Sequence, residues 1–526
     1  MAARTIPALL AQGAATHGSH PAVVDGGTTV TYEGLQDLVV AVARSYRALG
    51  VEPGDRVAIW APNRVEFIVA LLGAQYIGAS VVPLNTRYRG HEAQVVLQRS
   101  RAVVLVLCDG FLTTDYSTML MEAGGEEAGP VVPGLPNLRT LVDVNSAGRQ
   151  GTLPWSEFLA LGERVPVEEV EKLAAEVTPD TVCDILYTSG TTGVPKGVMS
   201  THAQTIGVAD VWADGASLSP QDRYAIVNPF FHGFGYKAGV ITSLTAGTTI
   251  YPVITFDPVA LMQLVQDERI TVLPGAPTIF ITLINHDRRT EFDLSSLRFA
   301  IAGATSVPET LFEQMLDILG FDTVAQAYGL TECVVATVSR RNEDPRHIAE
   351  TTGPGVPGIE VRVVAGDGKD VEVGSDGEVW LRGANVMLGY FEDPEATAAA
   401  IDADGWFHTG DIGRLDEHGC LKITDRIKDM FITGGFNVYP AEVENVLAAH
   451  PAVMESAVIG VPDDRMGAVG AAHVVLRPGT SATPEELIAW VRERLANFKV
   501  PRDVVLEEAL PRNASGKVLK TDLRQG

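Results

Sequence analysis

Tyr187-Thr188-Ser189-Gly190-Thr191-Thr192-Gly193-Val194-Pro195-Lys196-Gly197-Val198 follows an apolar run and governs the reading of the whole chain. Its glycines let the backbone approach an oxyanion and point N–H groups at it. The hydroxyls of Thr188, Ser189, Thr191 and Thr192 add donors, and Lys196 adds charge. That is the composition of a phosphate-binding loop. The Gly-x-x-x-x-Gly-Lys-Ser/Thr spacing of a Walker A loop is absent. Taken alone, the same composition also describes a glycine-rich surface turn, so motifs elsewhere have to decide.

Around this loop, short β-branched runs alternate with amphipathic segments. Arg56–Trp60, Ser80–Leu84, Ala102–Leu107 and Thr271–Leu273 read as strands, and Val65 opens a helix. Such alternation predicts an α/β fold with mostly parallel sheets. The stretch from Gly124 to Pro136, rich in Gly, Glu and Pro, reads as a surface excursion. From about Gly358 the texture changes to short strands and turns, which predicts a β-rich subdomain. After Arg426 a smaller unit begins: helix Pro440–His450, strands Glu455–Val461 and Ala471–Leu476, helix Pro484–Ala496.

With 526 residues the chain exceeds what one core supports, so at least two domains are expected. Its 40 basic against 66 acidic residues give a net charge of −26, which disfavours nucleic acid and anionic membrane as partners. Cys108, Cys183, Cys333 and Cys420 are scattered without a Cys-x-x-Cys. They read as small buried hydrophobes in a reducing, cytoplasmic setting rather than as disulfides or a zinc site. No secretory signal stands out, and the Phe67–Leu84 region, interrupted by Gln75 and two glycines, reads as a buried helix and strand rather than a membrane span. Leu523-Arg524-Gln525-Gly526 matches no peroxisomal or lipidation tag.

Four further segments carry chemistry: Asn228-Pro229-Phe230-Phe231-His232-Gly233-Phe234-Gly235-Tyr236, Gln326-Ala327-Tyr328-Gly329-Leu330-Thr331-Glu332, Trp406–Asp411 continuing to Asp425-Arg426-Ile427-Lys428-Asp429, and Pro511-Arg512-Asn513-Ala514-Ser515-Gly516-Lys517. In identity and order, and with the Tyr187–Val198 loop, they resemble the adenylate-forming superfamily of acyl-CoA synthetases, peptide adenylation domains and beetle luciferases. The likeness spans nearly the whole chain. Gly434-Gly435-Phe436-Asn437-Val438-Tyr439-Pro440 looks most like the acyl-CoA synthetase branch.

The resemblance implies a large N-terminal adenylation domain (1–426), a hinge (427–428) and a small mobile α+β C-terminal domain (429–526), with the active site between the domains. It implies two half-reactions. A carboxylate attacks the α-phosphate of ATP, giving acyl-AMP and pyrophosphate; a thiol, normally that of coenzyme A, then displaces AMP. The partners implied are a small-molecule carboxylic acid, ATP and coenzyme A, with Mg2+ as the metal; the oligomeric state is left open, a homodimer included. Two anions must meet, so the protein has to supply positive charge and aligned donors.

By motif match, Thr188, Ser189, Gly190, Thr191, Thr192, Gly193 and Lys196 resemble the loop that holds the β- and γ-phosphates. Gly303, Ala304 and Thr305 resemble a further stretch of the nucleotide site. Tyr328, followed by Gly329, resembles the aromatic stacked on adenine, Thr331 the hydroxyl near the α-phosphate, and Glu332 the magnesium-associated carboxylate. Asp411 resembles the acceptor of both ribose hydroxyls, and Arg426 a ribose or phosphate contact. Lys517 resembles the mobile-domain lysine bridging substrate carboxylate and α-phosphate, Lys428 the hinge, and Gly434-Gly435 the loop beside the pantetheine arm. Outside these motifs, Asp411 would read as a turn residue and Lys517 as an exposed tail lysine.

Phe230, His232, Gly233, Phe234, Tyr236 and Ala276 are expected to line the acyl pocket, with His232 as lining rather than base. Small residues at Gly233, Gly235, Ala276 and Ala304 would leave room, and the aromatics would make it apolar. Gly233-Phe234-Gly235 with Gly239 is close to a dinucleotide fingerprint, but its last glycine is one residue late. Phe230–Gly239 and Phe292–Arg298 look similar to bacterial synthetases for steroid-ring fragments, which points to a bulky polycyclic acid; a medium- or long-chain fatty acid is the alternative. An adenylation-only enzyme that passes acyl-AMP to a carrier or separate transferase is a second alternative. A non-enzymatic nucleotide binder is a third, and the presence of Lys517, Glu332 and Asp411 weighs against it. One departure stands out: Gly467-Ala468 replaces the Gly-Glu found after Pro-Asp-Asp/Glu in many relatives.

Overall fold

The computed structural model describes residues 4–124, 129–145, 151–188, 195–303, 309–339, 344–426, 429–433, 436–463, 466–495, 497–512 and 518–524. The chain divides into two compact units. The first comprises Met1–Pro274, Gly329–Val335 and Ala384–Ala399; the second comprises Gly275–Tyr328, Ala336–Gly383 and Ala400–Gly526.

The first unit is built on an eight-stranded sheet in the order Gly389–Tyr390, Lys196–Thr201, Val182–Thr188, Ser80–Pro83, Arg56–Trp60, Val104–Leu107, Thr140–Asp143, Leu153–Pro154. From Val182–Thr188 to Leu153–Pro154 the neighbours run parallel, while Lys196–Thr201 pairs antiparallel with both its neighbours. Val57–Trp60, Val81–Pro83 and Val104–Leu107 are apolar and buried because both faces are covered. Helix Val65–Tyr76 buries every residue from Phe67 to Tyr76, and its Val65 N–H is met by Asp25 Oδ2 at 2.9 Å. A Cβ on Gly73 would lie 2.6 Å from Val42 Cγ1, so glycine lets helix Tyr32–Ala48 pack close. The unit also holds a four-stranded sheet, Arg223–Ile226, Thr249–Pro252, Pro21–Asp25, Thr28–Thr31.

Two local expectations are corrected. Thr271-Val272-Leu273 forms no strand; Val272 makes one isolated bridge, to Tyr224. The Gly124–Pro136 stretch is not wholly surface, because Val132 and Leu135 are 0% and 2% exposed in the core beside Trp60, Leu107 and Tyr116.

In the second unit, Phe299–Ala302 runs parallel to the start of Thr323–Leu330. The β-rich part is an antiparallel sheet, Ile359–Val364, Gly377–Gly383, Phe407–Leu415, Leu421–Arg426. The C-terminal part has its own sheet of Phe436–Val438, Phe431–Thr433, Gly467–Leu476 and Val453–Asp463, with Asp503–Leu506 added parallel to Gly467–Leu476. Helices Pro440–Ala448 and Pro484–Arg492 cover it, and Val438, Val443, Leu447, Val453, Leu487 and Val491 form its core. Among the described residues no helix is long and apolar enough to cross a membrane. All four cysteines are buried, and none forms a disulfide.

Candidate functional site

The hairpin Val182–Thr188 and Lys196–Thr201 sets the geometry of the first unit's site. Its register pairs Asp184 with Ser200, Leu186 with Val198, and Thr188 with Lys196. Side chains alternate along a strand, so these six share one face. Strand Gly389–Tyr390 adds alongside and pairs Tyr390 with Val198, which puts Tyr390 on that face too. Chemistry gathers at its open end. Lys196 Nζ lies 4.8 Å from the centroid of the Tyr390 ring, and the Tyr390 hydroxyl donates to Glu332 Oε1 at 2.8 Å. Burial, then the neighbouring Glu332 charge, push the Tyr390 phenol well above its ordinary range, so it stays a donor. Among the described residues no carboxylate pairs with Lys196, and the second oxygen of Glu332 accepts no hydrogen bond. A half-buried ammonium and a hard oxygen donor, neither neutralised by a described residue, suit phosphate and a divalent cation.

Further down the same face lies a buried polar network that sequence reasoning missed. Lys237 Nζ sits 3.0 Å from Asp184 Oδ1, with side chains 2% and 0% exposed, and donates to Ser200 Oγ at 2.7 Å. The Asp184 contact is ionic in geometry rather than a directed hydrogen bond. Thr205 and Tyr236 donate to Asp184 Oδ2 at 2.7 and 3.3 Å, and Gln75 donates to the Tyr236 hydroxyl at 2.6 Å. Lys237 stands in a π-helical turn, Tyr236–Ile241, directly after Gly233–Gly235, a distortion common near functional segments. A lone charge inside the apolar run Phe234–Ile241 was the available signal, since a buried lysine requires a partner.

The residues expected to line an acyl pocket are placed differently from one another. Phe230 is 1% exposed and packs edge-on against Phe67. Tyr236 is fully buried, its hydroxyl committed to the polar network. His232 is half-buried and caps the following turn, Nδ1 accepting from Phe234 N–H at 3.2 Å, while Phe234 packs on Trp212. Gly233 and Gly235 do not leave open space, as the composition had suggested. A Cβ on Gly233 would lie 2.9 Å from Val334 Cγ2, and one on Gly235 would lie 2.3 Å from Pro229 O. Glycine is needed there because the chain packs against itself.

The second unit carries the other recognisable group. The Tyr328 hydroxyl donates to Asp411 Oδ2 at 2.5 Å, and Asp411 is only 2% exposed. Asp411 follows Gly410, whose φ of +71° turns the strand, and its N–H donates to Thr409 Oγ1 at 3.0 Å. Backbone pairing sets Asp411 opposite Arg426, whose side chain lies outside the described atoms. Gly303 N–H donates to Gly275 O at 3.2 Å beside Ala276, the cap of helix Pro277–Ile284. Ser189, Gly190, Thr191, Thr192, Gly193, Ala304, Thr305, Lys428, Gly434, Gly435 and Lys517 lie outside the described residues. In the first unit, Thr331 is half-buried, and a Cβ on Gly329 would lie 2.0 Å from Val334 O, so the turn there requires glycine.

The His347, Asp416 and Cys420 donor atoms lie within 4.8 Å of one another, yet a turn accounts for them. Asp416 Oδ1 accepts the N–H groups of His418 and Cys420 while Oδ2 meets His347 Nε2 at 2.6 Å. Against the upward push of burial, those hydrogen bonds hold the Asp416 carboxyl below its usual range.

A family model described as AMP-binding enzyme matches residues 10–391, and one described as AMP-binding enzyme C-terminal domain matches 442–517. The chain is 48% identical over 521 residues to an enzyme of Rhodococcus jostii RHA1 named 3-[(3aS,4S,7aS)-7a-methyl-1,5-dioxo-octahydro-1H-inden-4-yl]propanoyl:CoA ligase, covering 99% of this chain and 98% of the relative. It is likewise 48% identical over 523 residues to the enzyme of the same name from Mycobacterium tuberculosis H37Rv, covering 99% of both. The solved anthranilate CoA ligase AuaEII with anthranoyl-AMP superposes with a TM-score of 0.88 at 25% identity, covering 99% of this chain and 96% of that one. The chain belongs to the AMP-binding enzyme family, on its acyl-CoA ligase branch.

Proposed function

We propose that this chain converts a bicyclic keto acid, 3-(7a-methyl-1,5-dioxo-octahydroinden-4-yl)propanoate or a close analogue, to its coenzyme A thioester through an acyl-AMP. The observation that carries the substrate is the 48% identity, over essentially the full chain, to two ligases named for that acyl group. In this reading Thr188 and Lys196 bind the ATP phosphates, and Lys196 neutralises charge as pyrophosphate leaves. Asp411, held by Tyr328, accepts the ribose hydroxyls, and the Tyr328 ring lies against adenine. Glu332 would hold the divalent cation, which when bound supplies positive charge to the phosphate oxygens. Lys517 would join substrate carboxylate to α-phosphate. Residues 429–526, turning about 427–428, would withdraw Lys517 and bring Gly434-Gly435 to the coenzyme A thiol.

The test is pyrophosphate release with a panel of acids, followed by mass analysis of the coenzyme A product. The bicyclic acid should give the highest kcat/KM. Faster turnover of linear acids of six to sixteen carbons would replace this substrate with the fatty-acid alternative. Acyl-AMP accumulating without thioester would favour the adenylation-only reading. Lys517→Ala should abolish pyrophosphate release while ATP binding survives.

A further inference from the structure

Tyr390 lies in none of the motifs, yet one side chain of it touches both charged groups of the first unit's site. Its ring face meets the Lys196 ammonium, with 4.8 Å from Nζ to ring centroid. Its hydroxyl donates to Glu332 Oε1 at 2.8 Å. The segment that carries it is held from both sides. Leu388 N–H and Phe391 N–H donate to Met199 O and Gly197 O at 2.9 and 2.7 Å, and Met387 N–H donates to Glu332 O at 2.7 Å. Tyr390 N–H donates to Thr397 Oγ1 at 2.9 Å, and Tyr390 is 7% exposed. Gly389 before it has a φ of +149°, with a built Cβ only 3.0 Å from Thr397 Cγ2, so the backbone geometry is specific to glycine.

We propose that Tyr390 is the positioning residue of the phosphate site, holding Glu332 through its hydroxyl and Lys196 through its ring so that the two opposite charges stay apart and available. The inference rests on the functional reading above, in which Glu332 serves the cation and Lys196 the phosphates. An ammonium and a carboxylate this near one neutral ring would otherwise gain by pairing directly. A direct pair would cancel the charges that bind MgATP. The phenol prevents this by satisfying each group separately: a hydrogen bond to the anion and a quadrupole contact to the cation. Neither contact uses up a formal charge. Tyr390 thereby works through its neighbours and touches no reacting atom.

The two contacts separate by substitution. Tyr390→Phe keeps the ring and deletes the hydroxyl; Tyr390→Leu deletes both. The full-length chain is titrated with Mn2+ in the presence of ATP and no acid, reading free Mn2+ by electron paramagnetic resonance. ATP affinity without metal is measured in parallel by calorimetry, and thermal midpoints confirm folding. Tyr390→Phe should weaken Mn2+ binding about 10-fold, the scale of a hydrogen bond to a charged group. It should leave metal-free ATP affinity within about 2-fold, because the cation–π contact survives. Tyr390→Leu should add a loss of about 2- to 5-fold in metal-free ATP affinity. Glu332→Gln is the control for the reading underneath. If Glu332→Gln weakens Mn2+ binding and Tyr390→Phe does not, the role given to Tyr390 is wrong. If neither substitution changes it, the cation is not at Glu332, and the functional placement fails together with the inference.

Discussion

Replacing Lys237 by Met should destabilise the protein, and a second substitution at Asp184 should restore most of the loss. Lys237 and Asp184 lie 3.0 Å apart with side chains 2% and 0% exposed. Removing the ammonium strands a carboxylate in the core, which costs about 3–5 kcal/mol when a buried pair is broken. Asp184→Asn should strand the ammonium instead, and Lys237→Met/Asp184→Asn, with both charges gone, should lose only about 1–2 kcal/mol. Urea unfolding of the four proteins at pH 7, followed by tryptophan fluorescence, gives the cycle. A double variant as weak as the sum of the singles would refute the charged-pair reading.

His202 is buried, its Nδ1 accepting from Ile6 N–H at 3.1 Å and its Nε2 without a partner among the described residues; burial pushes it down to about 4. The unfolded chain binds the proton first, so stability should be full above pH 6.5 and fall by about 3 kcal/mol by pH 4, and His202→Asn should flatten that decline in urea unfolding. Gly329→Ala places a methyl about 2.0 Å from Val334 O. It should distort the turn carrying Thr331 and Glu332, lowering the melting temperature and abolishing pyrophosphate release. Asp411→Asn keeps an acceptor for Tyr328 but removes the charge, and should raise the dissociation constant for ATP about 10-fold by calorimetry, with no change in urea stability beyond about 1 kcal/mol.

What the sequence disclosed about the site depended on how local each feature is. Lys196 and Thr188 flank one loop, so their membership of one site was legible from a dozen residues, while their backbone pairing across a hairpin was not. Asp411 and Tyr328 are far apart in sequence, and motif resemblance rather than spacing linked them before their 2.5 Å contact was visible. Tyr390 left no signal. Its role arises only because Gly389–Tyr390 adds to the edge of Lys196–Thr201, a pairing that no periodicity encodes. The glycines at 233 and 235 were misread for a related reason. Smallness in a sequence cannot distinguish a cavity from a close backbone approach, and here Val334 and Pro229 supply the approach. The α/β alternation was legible because strands buried on both faces are apolar throughout. Val132 and Leu135 escaped notice because a polar, proline-rich surrounding hid two core residues.

Asp184 and Ser200, which Lys237 contacts, share one face of one hairpin with Thr188 and Lys196, and this joins their fates. Strand periodicity is two, so a one-residue slip of Lys196–Thr201 against Val182–Thr188 would turn Lys196 and Ser200 away together. Gly197 also resists such a slip, because a Cβ in its place would lie 2.8 Å from Ile185 Cγ2. Lower down, Lys237 reads the register directly: it accepts only an arrangement in which Asp184 and Ser200 both face it. A hydrophobic trio of the same volume would tolerate a shifted strand, because apolar contacts lack direction. The ion pair thus need not add net stability to be useful; it fixes which way Lys196 points. On this argument the double variant that recovers stability in the cycle should still bind ATP more weakly than wild type, since it packs well but no longer specifies the register.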